Sequence, residues 1–115
     1  MKISLKSNLE KLPLPPTEKW PDGVFDVEAF KNGSMSLILF APEGTDYQTP
    51  HEQDELYIVM EGSGVLQVEN EKFSFGAGDV LFVPALKEHR FTQFTDGIKM
   101  WAVFWGQKGG EVASH

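Results

Sequence analysis

Residues 51–64 read His-Glu-Gln-Asp-Glu-Leu-Tyr-Ile-Val-Met-Glu-Gly-Ser-Gly, and the fold turns on how Leu56–Met60 is read. His51 and Glu55 stand four apart, a spacing that would align them on one face of a helix. The residues that follow are rich in β-formers and stop at Gly62-Ser63-Gly64, turn chemistry that closes a strand. The segment is therefore read as a strand. On a straight strand His51 and Glu55 would share a face about 13 Å apart at ~3.4 Å per residue. One ion cannot touch both across that distance, so a shared ion requires a bend or bulge within Glu52–Asp54.

The rest of the chain from Val24 onward repeats the pattern. Val24, Phe25, Val27 and Phe30 precede an Asn32-Gly33 turn, and Ser34–Ala41 is an apolar run ending at Pro42. Val65–Glu69, Phe73–Phe75, Val80–Val83, Phe91–Phe94 and Ile98–Trp105 follow. Breaks at Asn70-Glu71, Gly76/Gly78, Pro84 and Asp96-Gly97 separate them. Short strands at close, fairly regular spacing indicate an antiparallel sandwich or barrel. No stretch here keeps a capped 3.6-residue apolar period, and no internal repeat stands out. The last strand, Met100–Trp105, is apolar on both faces, so neither face belongs in water. A small barrel covers only its inner face. The outer face calls for another sheet, the N-terminal arm or a second subunit, and a homodimer is the favoured reading.

Residues 1–22 differ in kind. Pro13, Pro15, Pro16 and Pro21 among Lys and Glu exclude a long helix and suggest an extended, Pro-rich arm. The arm either drapes over the surface or packs Leu12, Leu14 and Trp20 on its own barrel or a neighbour. Residues 23–107 form the barrel, and 108–115 a flexible C-terminal tail that includes His115.

Composition narrows the partners. The 115 residues suit one domain, and 17 acidic against 10 basic side chains give a net charge of −7. That balance argues against nucleic acid and against an anionic membrane surface, since Lys and Arg supply both attractions. No apolar run approaches the roughly 20 residues of a spanning helix, and the N-terminus lacks a secretory h-region. A cytoplasmic location is the default expectation. With no cysteine, any metal must be held by imidazole and carboxylate, which suits Fe, Mn, Zn, Ni or Cu.

Two segments resemble a known family. Residues 44–64, GTDYQTPHEQDELYIVMEGSG, resemble the first cupin motif: Gly, His-x-His, three or four residues, Glu, six residues, Gly. His51, Glu55 and Gly62 match its later part. Residues 78–93, GDVLFVPALKEHRFTQ, resemble the second motif in Gly78, Pro84 and His89. With the flanking strands the resemblance covers roughly residues 24–105, and both motifs occur in order. It implies an all-β fold, an antiparallel double-stranded β-helix or jelly-roll barrel. There are departures: the first histidine of the first motif falls on Thr49, the expected Gly after Pro84 is Leu86, and the closing Asn is Gln93. The resemblance is closest to small cupins reading Pro-His-x-x-Asp-Glu.

Carried over residue by residue, the resemblance makes His51, Glu55 and His89 the ligands of a divalent metal ion, with Gln53 or water filling in and Thr49 lining the pocket. Two histidines and one carboxylate form a facial triad whose open positions admit substrate or oxygen on Fe(II). Both imidazoles must be neutral to bind, so affinity should fall as pH drops through the histidine range. The plainer alternative is a barrel histidine bonded to a backbone carbonyl beside a solvated run of acids. Tyr57, Phe91 and Trp101 are the expected pocket wall among many core aromatics. The function this implies is a small metalloenzyme acting on a small organic molecule, of oxygenase, isomerase or lyase type. The alternative is a non-catalytic module that binds or senses a small ligand, with or without metal.

Overall fold

The computed structural model describes residues 1–46 and 48–111. Among them, β1 (Asp26–Asn32), β2 (Met35–Phe40), β3 (Asp54–Glu61), β4 (Gly64–Val68), β5 (Glu71–Phe75), β6 (Val80–Val83), β7 (His89–Phe94) and β8 (Lys99–Trp105) follow one helical turn, α1 (Leu5–Leu9). The strands form an all-β, antiparallel fold of two sheets, ordered β1-β2-β8-β3-β6 and β5-β4-β7. No helix of the described residues is long and apolar enough to cross a membrane.

The inner faces of the two sheets meet in a core of Phe40, Tyr57, Val59, Leu66, Phe75, Val83, Phe91, Ile98, Met100 and Ala102. Strand alternation decides these memberships. In β3, Glu55, Tyr57 and Val59 point inward, and in β8 Met100 and Ala102 do the same. The rings pack edge-on or tilted: Tyr57 and Phe91 lie 5.0 Å apart, and Phe75 and Phe91 5.6 Å. The turn after β3 needs its glycines. A Cβ on Gly64 would strike the Gln93 carbonyl oxygen and the Phe94 backbone, and Gly62 adopts φ +94° against Thr95 and Ile98.

The outer face of the larger sheet is also apolar, as β8 foretold. Leu39 is fully buried there although it stands outside the inner core, and α1 packs on its strand. At the other end of the sheet Ile58, Val80 and Phe82 are exposed, and Phe82 stacks towards Trp105 at 6.2 Å.

The described parts of both terminal segments make more contacts than their composition suggests. The arm begins as α1 because Ser4 caps it, accepting from the Ser7 N–H at 3.2 Å, ahead of the first proline. Farther on, Leu14 and Val24 exchange backbone hydrogen bonds of 2.8 and 3.0 Å, which lay the arm on its own barrel. The segment expected to be a free tail is tied down as far as Glu111. Asp54 is buried at the start of β3; its Oδ2 accepts from Glu111 N and its Oδ1 from Ala85 N, both at 2.9 Å. Residues 112–115, with His115, lie outside the described residues.

Candidate metal centre

The bend that a shared site requires is present. β3 starts only at Asp54, and Glu52-Gln53 turn the chain so that His51 lies off the strand axis. Four contacts fix the bend. Gln53 Nε2 donates to the Ser34 carbonyl at 2.8 Å and the Gly106 carbonyl at 2.9 Å. Gly109 N donates to Glu52 O, and Leu86 N to His51 O, both at 2.7 Å. Gln53, expected as an additional ligand or pocket residue, therefore spends its amide nitrogen on holding the chain. Leu86 makes its contact from φ +68°, the left-handed region where the family motif places glycine.

The bend brings His51 and Glu55 to 3.9 Å (Nδ1 to Oε1), and β7 delivers His89, whose Nε2 lies 3.5 Å from the same oxygen. One ligand atom from each residue lies within 4.8 Å of the other two. Among the described residues, His51 Nδ1, Glu55 Oε1 and His89 Nε2 are the buried side-chain atoms that have no hydrogen-bond partner. Leaving three buried polar atoms unpaired costs about 1–3 kcal/mol each, so their convergence at one point needs a reason. An ion supplies one: two ligands each about 2.1 Å from a metal stand about 3–3.5 Å apart. His89 is already set for it. Its Nδ1 lies 3.1 Å from the Lys87 carbonyl oxygen, which can only accept, so the proton sits on Nδ1 and Nε2 keeps its lone pair.

The electrostatics agree with a site waiting for positive charge. Burial, then His89 and Lys19, push His51 down to about 4. His89 is also lowered, again chiefly by burial. Burial pushes Glu55 up to about 8, with Tyr57 opposing the rise and Asp46 adding to it. Without an ion the group is thus neutral at pH 7, with Glu55 protonated. The carboxylate, not the histidines, would set the proton cost of holding an ion there.

Beside the group lies a cavity of about 200 Å³, bounded by Asp26, Phe40, Gln48, His51, Tyr57 and Phe104, with Glu55 at its wall. Tyr57 reaches it as alternation from Glu55 requires, and its hydroxyl donates to Gln48 Oε1 at 2.9 Å. Phe91 does not line the cavity; it packs behind Tyr57. Trp101 is a correction. It pairs with Leu39 and Ile58 and alternates with inward Met100 and Ala102, so it faces outward. Because both faces of β8 are apolar, the pattern could not say which one is inner. The inward aromatic is Phe104, 4.7 Å from the His51 ring. Thr49 lines a different cleft of about 320 Å³ with Gln67, Arg90 and Thr92, which meets the group only at His89.

Two further residues escaped the sequence reading. Asp46 is buried and accepts from Phe91 N, Gln48 N and Gln48 Nε2 at 2.8, 3.0 and 2.8 Å, fastening the loop before His51 to β7. Asp26 pairs with Phe40 in register and faces the cavity from β1. An acid in an inward position was the available signal for Asp26; Asp46, in a loop, gave none.

A small antiparallel barrel with a buried His-Glu-His group in its interior is the class that fold and site define. The chain belongs to the cupin family: the family model described as "Cupin domain" matches residues 36–105. It is 33% identical over 85 residues to an uncharacterized protein of Streptomyces coelicolor, covering 72% of this chain and 80% of the relative. Among solved structures it is similar to KdgF from Halomonas sp. (TM-score 0.62, 16% identity, covering 72% of this chain and 80% of that one). It is also similar to an RmlC-like cupin from Shewanella frigidimarina (TM-score 0.61, 20% identity, 70% and 73% covered). A third is DMSP lyase DddQ from Ruegeria pomeroyi (TM-score 0.56, 21% identity, 64% of this chain and 39% of that one). These likenesses establish the fold.

Proposed function

We propose that this cupin holds a divalent metal ion through His51, Glu55 and His89 and uses it to act on a small organic molecule in the adjoining cavity. The observation that carries this reading is the convergence of three buried, unpartnered ligand atoms. Two imidazoles and one carboxylate leave part of an ion's coordination shell open, the mark of a catalytic rather than a structural site. When bound, such an ion supplies Lewis-acid polarisation of a carbonyl or a site for oxygen, suiting oxygenase, isomerase or lyase chemistry. That one fold neighbour bears the name of a lyase supports chemistry on this scaffold without choosing among the three.

The chain's own residues do the rest. Phe40, Phe104 and Ile38 give the cavity its apolar walls. Tyr57, anchored by Gln48, which Asp46 holds in turn, fixes the wall beside Glu55. Glu55 gives up its proton as the ion enters. Metal analysis of the purified protein, with His51→Ala and His89→Ala beside it, tests the reading. About one ion per chain in the wild type and little in either variant is expected; equally little metal in all three refutes it. A bound ion with one or two exchangeable waters supports catalysis. A closed shell supports the binding-module alternative.

The assembly reading follows from the outer face. β6 is an edge strand bearing exposed Val80 and Phe82, and α1 packs at the far side of the sheet, on β2. A second copy can lay its own β6 antiparallel to this one about a two-fold axis, which pairs the open backbone groups and joins the two apolar patches.

A further inference from the structure

The cavity beside the His51–Glu55–His89 group has a further acidic residue in its lining, on edge strand β1 of the same sheet, and the family motifs do not include it. Asp26 opens β1, faces Phe40 across the β1–β2 ladder and lines the same cavity as His51 and Glu55. Its strand neighbours Phe25 and Val27 are apolar, and the inward positions of the facing strand are Ile38 and Phe40. A carboxylate in such a place costs free energy unless something uses it. Asp26 is half-buried, whereas the fully buried Asp46 nearby is consumed by three N–H donors and Gln48 is consumed between Asp46 and Tyr57. Lys19 acts on Asp26 only through space, since its ammonium is hydrogen-bonded to Thr49 Oγ1 at 3.1 Å.

We infer that Asp26 is the specificity-determining residue of this cavity, recognising a hydroxyl or ammonium group on a small ligand whose other end carries an oxygen for the metal. The inference rests on the proposed metal for one end of the ligand and on Asp26 alone for the other. Three features set the ligand class. The cavity, at about 200 Å³, is smaller than the ~300–1,000 Å³ typical of drug-sized ligands, so the occupant is a small molecule. Its walls alternate apolar Ile38, Phe40, Ala102 and Phe104 with the acidic Asp26 and Glu55. A carboxylate at Asp26, with Asp46 and Glu55 close by, admits a donor and repels a second anion. Burial holds the Asp26 carboxyl above its ordinary value, with Lys19 opposing and Asp46 reinforcing. The resulting class is a short-chain acid with a hydroxyl or amino group at its far end, and dicarboxylates are disfavoured.

Three probes of matched size test this: β-alanine, 3-hydroxypropanoate and malonate, each titrated into Co²⁺-loaded protein and followed by the cobalt absorption spectrum. The wild type should bind the first two about tenfold or more tightly than malonate, the worth of one charge-assisted hydrogen bond and one avoided repulsion. Asp26→Asn should erase or invert that ratio, because Lys19 then faces no carboxylate, while cobalt content stays unchanged. Asp26→Ser, smaller and neutral, should do the same and guards against a packing artefact. An unchanged ratio in both variants overturns the proposal, as does a wild type that prefers malonate. Loss of cobalt in Asp26→Asn also overturns it, by making Asp26 a ligand. If the wild type takes up no metal, the metal reading falls separately. The metal-free protein is then titrated with β-alanine by NMR: shifts of the β1 amides that vanish in Asp26→Asn uphold the inference, and their absence overturns it.

Discussion

The proton that Glu55 would have to lose gives the proposed metal site a measurable signature. In the metal-free protein Glu55 stays protonated to about pH 8, whereas His51 takes up a proton only near 4 and His89 is also lowered. An entering ion therefore displaces one proton throughout the neutral range, and that proton comes from the carboxyl. The sign follows: apparent affinity rises with pH until Glu55 is ionised without help, then levels off. With the carboxyl titrating at about 8, the ionised fraction grows about fiftyfold between pH 6 and pH 8, worth about 2 kcal/mol of binding free energy. Calorimetric titration with Ni²⁺ at several pH values, in buffers of different ionisation enthalpy, reads both the affinity and the protons released. About one proton per ion at pH 7 is expected. Glu55→Gln should bind far more weakly and release none. An affinity that is flat from pH 6 to 8, or that breaks only near 6.5 where ordinary histidines titrate, would refute the reasoning.

Three other outcomes follow from the same geometry. Because the folded-state value of Glu55 is raised from 4.5 to about 8, its contribution to stability is present below pH 4.5 and lost as pH rises through 8. Glu55→Gln should thus be more stable than the metal-free wild type at pH 9, by about 2–4 kcal/mol, and nearly equal at pH 5, as denaturant melts will show. Leu86 is 60% exposed and sits at φ +68°; Leu86→Gly should relieve that backbone and raise stability by about 0.5–1 kcal/mol in thermal melts, whereas a clear loss would show that the side chain packs. Phe82→Lys should convert a wild-type dimer into a monomer by light scattering with metal content unchanged; a monomeric wild type at about 100 µM removes the proposed β6 interface.

How much of this was legible in the residues follows from where the information lies. The strands were readable because Val, Ile and Phe runs end at Gly, Pro and Asn, a signal local to each segment. The three proposed ligands were readable because two ordered motifs carried them. The helical turn at Leu5–Leu9 was not, since five residues without a long apolar period give little signal against four nearby prolines. Trp101 and Phe104 show a different limit. Alternation fixes which residues share a face, and only the neighbouring sheet decides which face is inner. β8 is apolar on both, so alternation alone does not choose between Trp101 and Phe104 for the cavity.

The bend between His51 and Glu55 shows why a site can be named from sequence before it can be understood. The sequence demanded a departure from a straight strand but held no local reason for one, because Glu52-Gln53-Asp54 contains neither glycine nor proline. The cause is distributed: Ser34, Leu86 and the pair Gly106 and Gly109 supply backbone contacts from three separate loops. Asp54 adds the last tie by fastening Ala85 and Glu111. These contacts lie 19 to 57 residues from their partners along the chain, so they exist only once the barrel has closed. The metal group is therefore a product of the tertiary fold rather than of the motif alone. Glu55 is the sharpest case. Its identity as a proposed ligand came from the motif, yet its neutrality at pH 7 comes from burial, which Tyr57 opposes and Asp46 reinforces. That is why the expected pH window of the proposed metal binding moves from the histidine range, where the residue types alone would place it, to the neighbourhood of pH 8.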